Sequence, residues 1–334
     1  MLKLFRRNGW WTLQLQSTPR QPNSGSYFHS STTARGCGTE SQPTRVASPP
    51  PVQVGFTEFS GRGVFAKRMI WAGEMIHTAK PIVSHPSLSS LHAVCYSCLR
   101  KLRNQQCRAQ SVSFCSQGCE EHSRIYFAVE NKADWSAFHE YCSTHGLKYP
   151  LLVKRLACMI IANVASADIL DLLQPATLSS TMIPLMEKEL HLLRSTFADA
   201  QISDKQIAFL TGQWYISVIA RIRINAFRIE LAGESYEDLL SSAAALIQAE
   251  AAVGNAVYLL PSMYNHDCDP NTHIVWLQNA DVKLKALRDI EAAIAGEELR
   301  ICYIDASMNR NARQTLLYEG FGFKCSCLRC MSDE

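Results

Sequence analysis

The stretch Tyr264-Asn265-His266-Asp267-Cys268-Asp269-Pro270-Asn271 decides how this chain is read. Aspartate, asparagine and proline are ordinary turn formers, but a histidine and a thiol among them give the loop a content that turn making does not need. The thiol has a use further on. Cys325-x-Cys327-x-x-Cys330 supplies three thiols and leaves one tetrahedral position of a zinc ion to be filled, for which Cys268 is the natural candidate. A closed four-thiolate site has no coordination position for water, so such a zinc is structural rather than catalytic.

Upstream lies a second group, Cys95-x-x-Cys98 followed by Cys115-x-x-x-Cys119. Two close pairs of thiols suit a second zinc with Zn–S bonds of ~2.3 Å. The segment around them is rich in Arg, Gln and Ser and has little apolar periodicity, so it needs a metal to hold it together. The 13 cysteines of the chain are therefore read as metal ligands and free thiols, since reducing compartments do not keep disulfides. Cys107 and the pair His139-x-x-Cys142 are left outside both sites, and His122 is read as a surface residue.

The pattern around these groups predicts an α+β fold. Short β-rich runs with glycines between them occupy Val52 to Val83, and strands return after Gly254 at 273–277, 282–287 and 299–303. Between them Leu, Ile, Ala and Met recur at helical spacing, as in Leu185, Leu190, Leu193 and Phe197. A short helix is expected over Ala312 to Glu319. This divides the chain into 1–48, 49–94, the Cys-rich 95–142, a helical insert 143–254, 255–305 and a Cys-rich tail 306–334.

With 334 residues, 47% of them hydrophobic and 19% charged, the chain can bury a substantial core. The longest apolar run, Leu151 to Leu173, is broken by Lys154, Arg155, Asp168 and Asp171, so no membrane span is expected. Of the 33 basic residues five precede Glu40, the first acid, which leaves 28 against 30 acidic residues. A slightly acidic body does not support direct nucleic-acid binding. Residues 1–48, rich in Arg, Ser, Thr and Gln, read as a disordered, transit-peptide-like segment. That composition points to a mitochondrion or plastid, with the nucleus as the alternative.

Four landmarks in order, Gly61-Arg62-Gly63-Val64-Phe65, the Asn265 to Asn271 loop, Gly296-Glu297-Glu298-Leu299-Arg300-Ile301-Cys302-Tyr303-Ile304-Asp305 and the Cys-x-Cys-x-x-Cys tail, resemble the SET-domain lysine methyltransferases. The thiol pairs from Cys95 to Cys119 resemble a MYND zinc finger, which marks the SET and MYND branch, where the finger interrupts the catalytic domain. The resemblance implies a SET fold of small antiparallel sheets, interrupted by the MYND-like finger and the helical insert and closed by the post-SET tail. It implies S-adenosylmethionine as methyl donor and two structural zinc ions. Carried over residue by residue, it puts Gly61, Arg62 and Gly63 beside the donor, Asn265 and His266 in contact with it, Phe323 against adenine, and Tyr303 at the methyl-transfer site. Asn225, in Ile224-Asn225-Ala226-Phe227, matches an Asn-x-Phe that precedes the loop in this branch, which implies a place among the donor-binding residues. Where some relatives carry a second tyrosine, this chain has Phe321.

The implied activity is methylation of a lysine in a protein substrate, histone or non-histone. Methyl transfer from a sulfonium is an in-line displacement, so the amine must arrive aligned and unprotonated, because an ammonium has no lone pair. The reading from another class is a non-catalytic adaptor built on the two zinc sites, which intact Asn265, His266 and Tyr303 disfavour.

Overall fold

The computed structural model describes residues 2–7, 10–15, 49–57, 60–102, 112–232, 252–292 and 296–332. In chain order the first strands are β1 (Leu2–Arg7), β2 (Trp10–Leu15), β3 (Val52–Phe56), β4 (Arg62–Ala66), β5 (Met75–Ala79) and β6 (Val83–Pro86). Helices α1 (Gln117–Glu130), α2 (Ser136–Thr144), α3 (Tyr149–Ile161), α4 (Ile183–Asp199) and α5 (Gly212–Asn225) follow. Then come β7 (Ala226–Ile229), β8 (Gly254–Val257), β9 (Asn265–His266), β10 (Thr272–Val275), β11 (Val282–Ala286) and β12 (Glu298–Ile301). Helices α6 (Arg310–Phe321) and α7 (Leu328–Met331) close the described chain.

Among the described residues the strands form one six-stranded sheet, ordered β1-β2-β3-β4-β12-β9, and two three-stranded sheets, β10-β11-β5 and β6-β8-β7. The α+β class and the SET architecture expected from the sequence are what the molecule has. Its pivotal strand is β12, which pairs antiparallel with β4, Glu298 opposite Phe65, and parallel with β9, Arg300 opposite Asn265. One strand thus carries the Gly-x-Gly turn on one side and the Asn-His loop on the other. Val54, Val64, Ile76, Leu284, Leu299 and Ile301 bury the inner sheet faces in one core. Alternation of buried and half-buried residues along β11 is the period-2 pattern of a half-covered strand.

The helices form a second core against β6 and β8. In α4 the buried stripe is Met186, Leu190, Leu193 and Phe197, spaced four, three and four residues apart. Leu185, which the spacing had placed on that stripe, is 55% exposed. Two further differences from the sequence reading concern element type. The 143–254 segment is not helical throughout, because α5 ends at Asn225 and the chain passes directly into β7, which pairs with β8. That partner lies well downstream, so local periodicity carries no sign of it. At the N-terminus, where the sequence predicted no element, β1 and β2 pair with each other, and Trp11 lies opposite Val54 of β3. Residues 16–48, the rest of the transit-like segment, fall outside the described residues.

The Cys-rich segment contains two helices that its polar composition hid. Ser116 caps α1 by accepting from the amide of Cys119 at 3.2 Å. At the far end of α1 the Glu130 carboxylate, 2% exposed, meets Lys154 Nζ at 2.6 Å and Arg155 Nε at 3.1 Å, both from α3. Tyr96 donates its hydroxyl to Glu130 at 2.5 Å, and Arg155 donates to the carbonyls of Ser84 and Tyr96. Burial alone would raise the Glu130 carboxyl, but Arg155 and Lys154 outweigh it and hold it well below the usual carboxylate range. Lys154 and Arg155, two of the four charges that break the apolar run in the sequence, are thus buried and paired. Among the described residues no helix is long and apolar enough to cross a membrane.

Candidate active site and zinc centres

Both four-thiol groups assemble. Cys95, Cys98, Cys115 and Cys119 bring their sulfurs within 4.8 Å of one another, and so do Cys268, Cys325, Cys327 and Cys330. Cys115 Sγ lies 3.6 Å from the sulfurs of both Cys98 and Cys119. Cys268 Sγ lies 3.6 Å from Cys330 and 3.9 Å from Cys325. A tetrahedron with Zn–S bonds of ~2.3 Å has edges of about 3.8 Å, so the spacing fits zinc and is far too long for a disulfide. His139 is engaged elsewhere, its Nε2 3.2 Å from Lys154 Nζ, and Cys142 is fully buried in the helical core.

The C-terminal group is built by a helix end. Asn309 caps α6 by accepting from Ala312, and Gly322, at φ +80°, ends it in the left-handed region that glycine tolerates best. The chain then turns through Phe323 into the three cysteines, where Gln314 fixes both the amide and the carbonyl of Cys325. Burial alone would raise the Cys330 thiol, but the Arg313 guanidinium and the neighbouring thiols outweigh it and lower it, whereas burial raises Cys268 and Cys325.

From this group the structure leads straight to the predicted active site. His266 Nε2 lies 3.2 Å from Cys268 Sγ, while its Nδ1 accepts the backbone N–H of Tyr303 at 3.1 Å. The tautomer follows: Nδ1 is the acceptor, so Nε2 carries the proton and donates to the sulfur. Burial pushes the His266 pKa down to about 4, which keeps the ring neutral. Both nitrogens are then occupied, and the ring offers its face, 5.3 Å from the Tyr303 ring and 6.0 Å from Phe323. Phe321 stacks on Tyr303 from another side at 4.9 Å.

Asn265, beside it, donates through Nδ2 to the carbonyl of Arg62 at 3.0 Å and to Glu298 Oε1 at 2.6 Å. The Gly-x-Gly turn is therefore pinned directly to the Asn-His loop. Gly61 sits at φ +71°, and a Cβ on Gly63 would stand 2.6 Å from Glu298 Oε1, so the backbone here must stay bare. Burial lowers the Arg62 guanidinium. Asn225 is drawn to the same place from α5, but its amide is spent on the carbonyls of Gln174 and Arg221. The Gln174 side chain lies about 3.6 Å from the Cβ position of Gly61, so Asn225 anchors the segment that faces the turn.

Tyr303 donates its hydroxyl to the carbonyl of Tyr264 at 2.5 Å, and Tyr264 in turn holds His77 Nε2 at 3.0 Å. Burial raises the Tyr303 phenol, so it remains protonated. The sequence reading assigned no role to Glu298 or Tyr264, although both stand inside quoted landmarks. Asn271 is a third such residue: it ties the loop to β12 by donating to the Glu298 carbonyl and accepting from the Arg300 amide. His77 and Gln174 carried no signal at all.

A bare glycine turn, an amide, two aromatic faces and a protonated phenol, joined by one central strand, define the class. The chain belongs to the SET-domain family of lysine methyltransferases, whose profile matches residues 61–304. It is 59% identical over 288 residues to the histone-lysine N-methyltransferase ATXR4 of Arabidopsis thaliana, covering 86% of this chain and 88% of that protein. A SET and MYND domain-containing protein of Dictyostelium discoideum is 28% identical over 276 residues, 78% of this chain and 77% of the other. Mouse histone-lysine N-methyltransferase SMYD3 is 26% identical over 282 residues, 82% of this chain and 60% of the other.

Proposed function

We propose that this protein transfers a methyl group from S-adenosylmethionine to the side-chain amine of a lysine in a protein substrate. The observation that carries the reading is the convergence of Gly61, Gly63, Asn265, His266 and Tyr303 about β12. The pocket's residues fit the donor. The bare backbone admits close approach, the His266 and Phe323 rings suit a flat base, and an unspent amide oxygen on Asn265 suits a hydrogen-bond donor. When bound, adenosylmethionine supplies a methyl group activated by its sulfonium.

The chain's own residues supply alignment. Tyr303 already donates its proton to the Tyr264 carbonyl and stays protonated, so it cannot serve as a base near neutral pH. Its oxygen lone pairs are what it can offer, and they accept from an amine N–H and aim the nitrogen along the transfer line. The apolar surroundings of Phe321 and Phe323 favour the neutral form of an amine whose free pKa is ~10.4. Cys268, Cys325, Cys327 and Cys330 would hold a structural zinc, which would keep Cys268, and through it His266, in place without a part in the chemistry.

The relatives named as histone-lysine methyltransferases support histone as one substrate class and a role at chromatin. The Arg-, Ser- and Thr-rich residues 1–48 support import into a mitochondrion or plastid, where the substrate would be non-histone. Localisation of a C-terminally tagged full chain separates the two, with an uncleaved nuclear protein overturning the import reading. The activity itself is tested by mass spectrometry of histones and organellar proteins after incubation with adenosylmethionine. Tyr303→Phe is expected to slow transfer about a hundredfold while donor affinity stays within about threefold. A protein with both zinc sites filled that binds no donor would instead be an adaptor.

A further inference from the structure

The proposed donor pocket contains a carboxylate that neither the landmarks nor the chemistry above has used. Glu298 starts β12, its side chain only 10% exposed, directly beneath the Gly61–Gly63 turn. One oxygen, Oε1, accepts from Asn265 Nδ2 at 2.6 Å. The other, Oε2, is held by Arg300 through Nε at 2.8 Å and Nη2 at 2.6 Å. Arg300 also reaches Asp267 of the same loop at 3.4 Å.

A side-chain amide has two faces that differ in chemistry, and nothing in its shape decides which way round it sits. Here the two groups that meet one end of Asn265 are the Glu298 carboxylate and the Arg62 carbonyl, and neither can donate. Reversing the amide would set an oxygen against two acceptors. The Nδ2 end is therefore fixed inward with both protons committed, and Oδ1 is turned to the pocket as an acceptor. A hydrogen bond to a carboxylate is roughly twice as strong as a neutral one, so Glu298 dominates this choice.

We infer that Glu298 is a positioning residue which locks the Asn265 amide so that its oxygen receives a hydrogen-bond donor of the bound methyl donor. This rests on the methyltransferase reading above. Adenosylmethionine offers three kinds of group of that chemistry, the α-ammonium of its methionine part, the ribose hydroxyls and the amino group of adenine. The ammonium is the better match, because a charged donor makes the stronger hydrogen bond to the amide oxygen.

The test is calorimetry on the zinc-loaded full chain with adenosylmethionine and, separately, with 5′-methylthioadenosine, which keeps adenine and lacks the amino acid. Glu298→Ala is expected to weaken adenosylmethionine about tenfold and to leave 5′-methylthioadenosine within about twofold. Glu298→Gln, whose single oxygen can accept from Asn265 or from Arg300 but not from both, is expected to lose less than Glu298→Ala. In an Asn265→Ala background Glu298→Ala should add almost nothing, since a residue acting through another has no effect once that other is gone. Additive losses in this cycle, or wild-type affinity in Glu298→Ala, overturn the inference. Equal losses for both ligands overturn the ammonium assignment in favour of the adenosine part, ribose or adenine. If Glu298→Ala does not fold, Glu298→Asp, which draws the carboxylate back from Asn265, is compared in the two backgrounds, and a loss that persists without the Asn265 amide counts against the inference. A wild-type chain that binds neither ligand overturns the methyltransferase reading itself.

Discussion

Cys95, Cys98, Cys115 and Cys119 fasten the two ends of one short segment, whereas Cys268 and Cys325 join stretches 57 residues apart. The ligand sets are the same and the surroundings are not. The first group leads, through Cys119 and its capped helix, to Glu130 and the buried pair Lys154 and Arg155, which bind the finger to the helical core. The second leads through a single imidazole to the backbone of Tyr303. The difference teaches that a metal's role in a fold is set by what its ligands touch next. A zinc on the first group would fasten a satellite, and one on the second would support a wall of the candidate active site.

The comparison breaks most visibly if the two groups are dismantled in turn. Cys330→Ser is expected to lose one zinc and to reduce donor affinity tenfold or more, by order of magnitude, because His266 and Phe323 lose their support. Cys98→Ser should also lose one zinc and lower the melting temperature, yet leave the donor affinity of the folded fraction within about threefold. Elemental analysis with calorimetry reads both, and equal losses of affinity would erase the distinction. A wild-type chain with three zinc ions would mean that a site involving residues such as Cys107 had been overlooked.

The fastening of the finger can be attacked away from its metal. Glu130→Ala leaves Lys154 and Arg155 buried without their carboxylate and is expected to destabilise the chain by about 3–5 kcal/mol, measured by denaturant unfolding. Zinc content should persist in the protein that remains folded. A loss below about 1 kcal/mol would place Glu130 among exposed pairs and contradict its burial.

The smallest effect expected is that of pH. Burial lowers both His77, under Tyr264, and His139, beside Lys154, to about 4 from an ordinary 6.5. The unfolded chain therefore binds more protons than the folded one between these values, so stability is fully present above 6.5 and is lost as pH falls towards 4. His139→Gln should flatten that slope without moving donor affinity, while His77→Gln should flatten it and also slow methyl transfer. A fall in melting temperature from pH 7 to 4.5 that stays as steep in both variants as in the wild type would refute the buried neutral state.

Much of the molecule was legible in the sequence because its chemistry is concentrated in short, unusual strings. Eight thiols at metal spacing announced both zinc centres, and the Asn-His loop with the Glu-Glu-Leu strand announced the catalytic sheet. What remained hidden depends on partners far along the chain. Strand β7 exists because β8 pairs with it, and the role of Glu298 appears only when β12 lies beside β9 and beneath the Gly61 turn. His77 is one histidine in a strand until Tyr264 is brought to its ring. The helices of the finger were hidden for another reason: α1 has a polar surface and is fixed by a cap and a buried ion pair, neither of which produces apolar periodicity.

The pairing of β12 with β4 also orders events in time. Helices α3, α4 and α5 are sequence neighbours that can collapse on one another early, whereas Glu298 must find Phe65 from the opposite end of the chain. Contacts of such separation form late, because the entropy of closing the intervening loop is lost before any contact rewards it. The helical layer can therefore exist while the pocket does not. A refolding chain regains helicity first and affinity for its methyl donor last, and in the interval the unpaired edge of β4 is the surface most exposed to association with other chains.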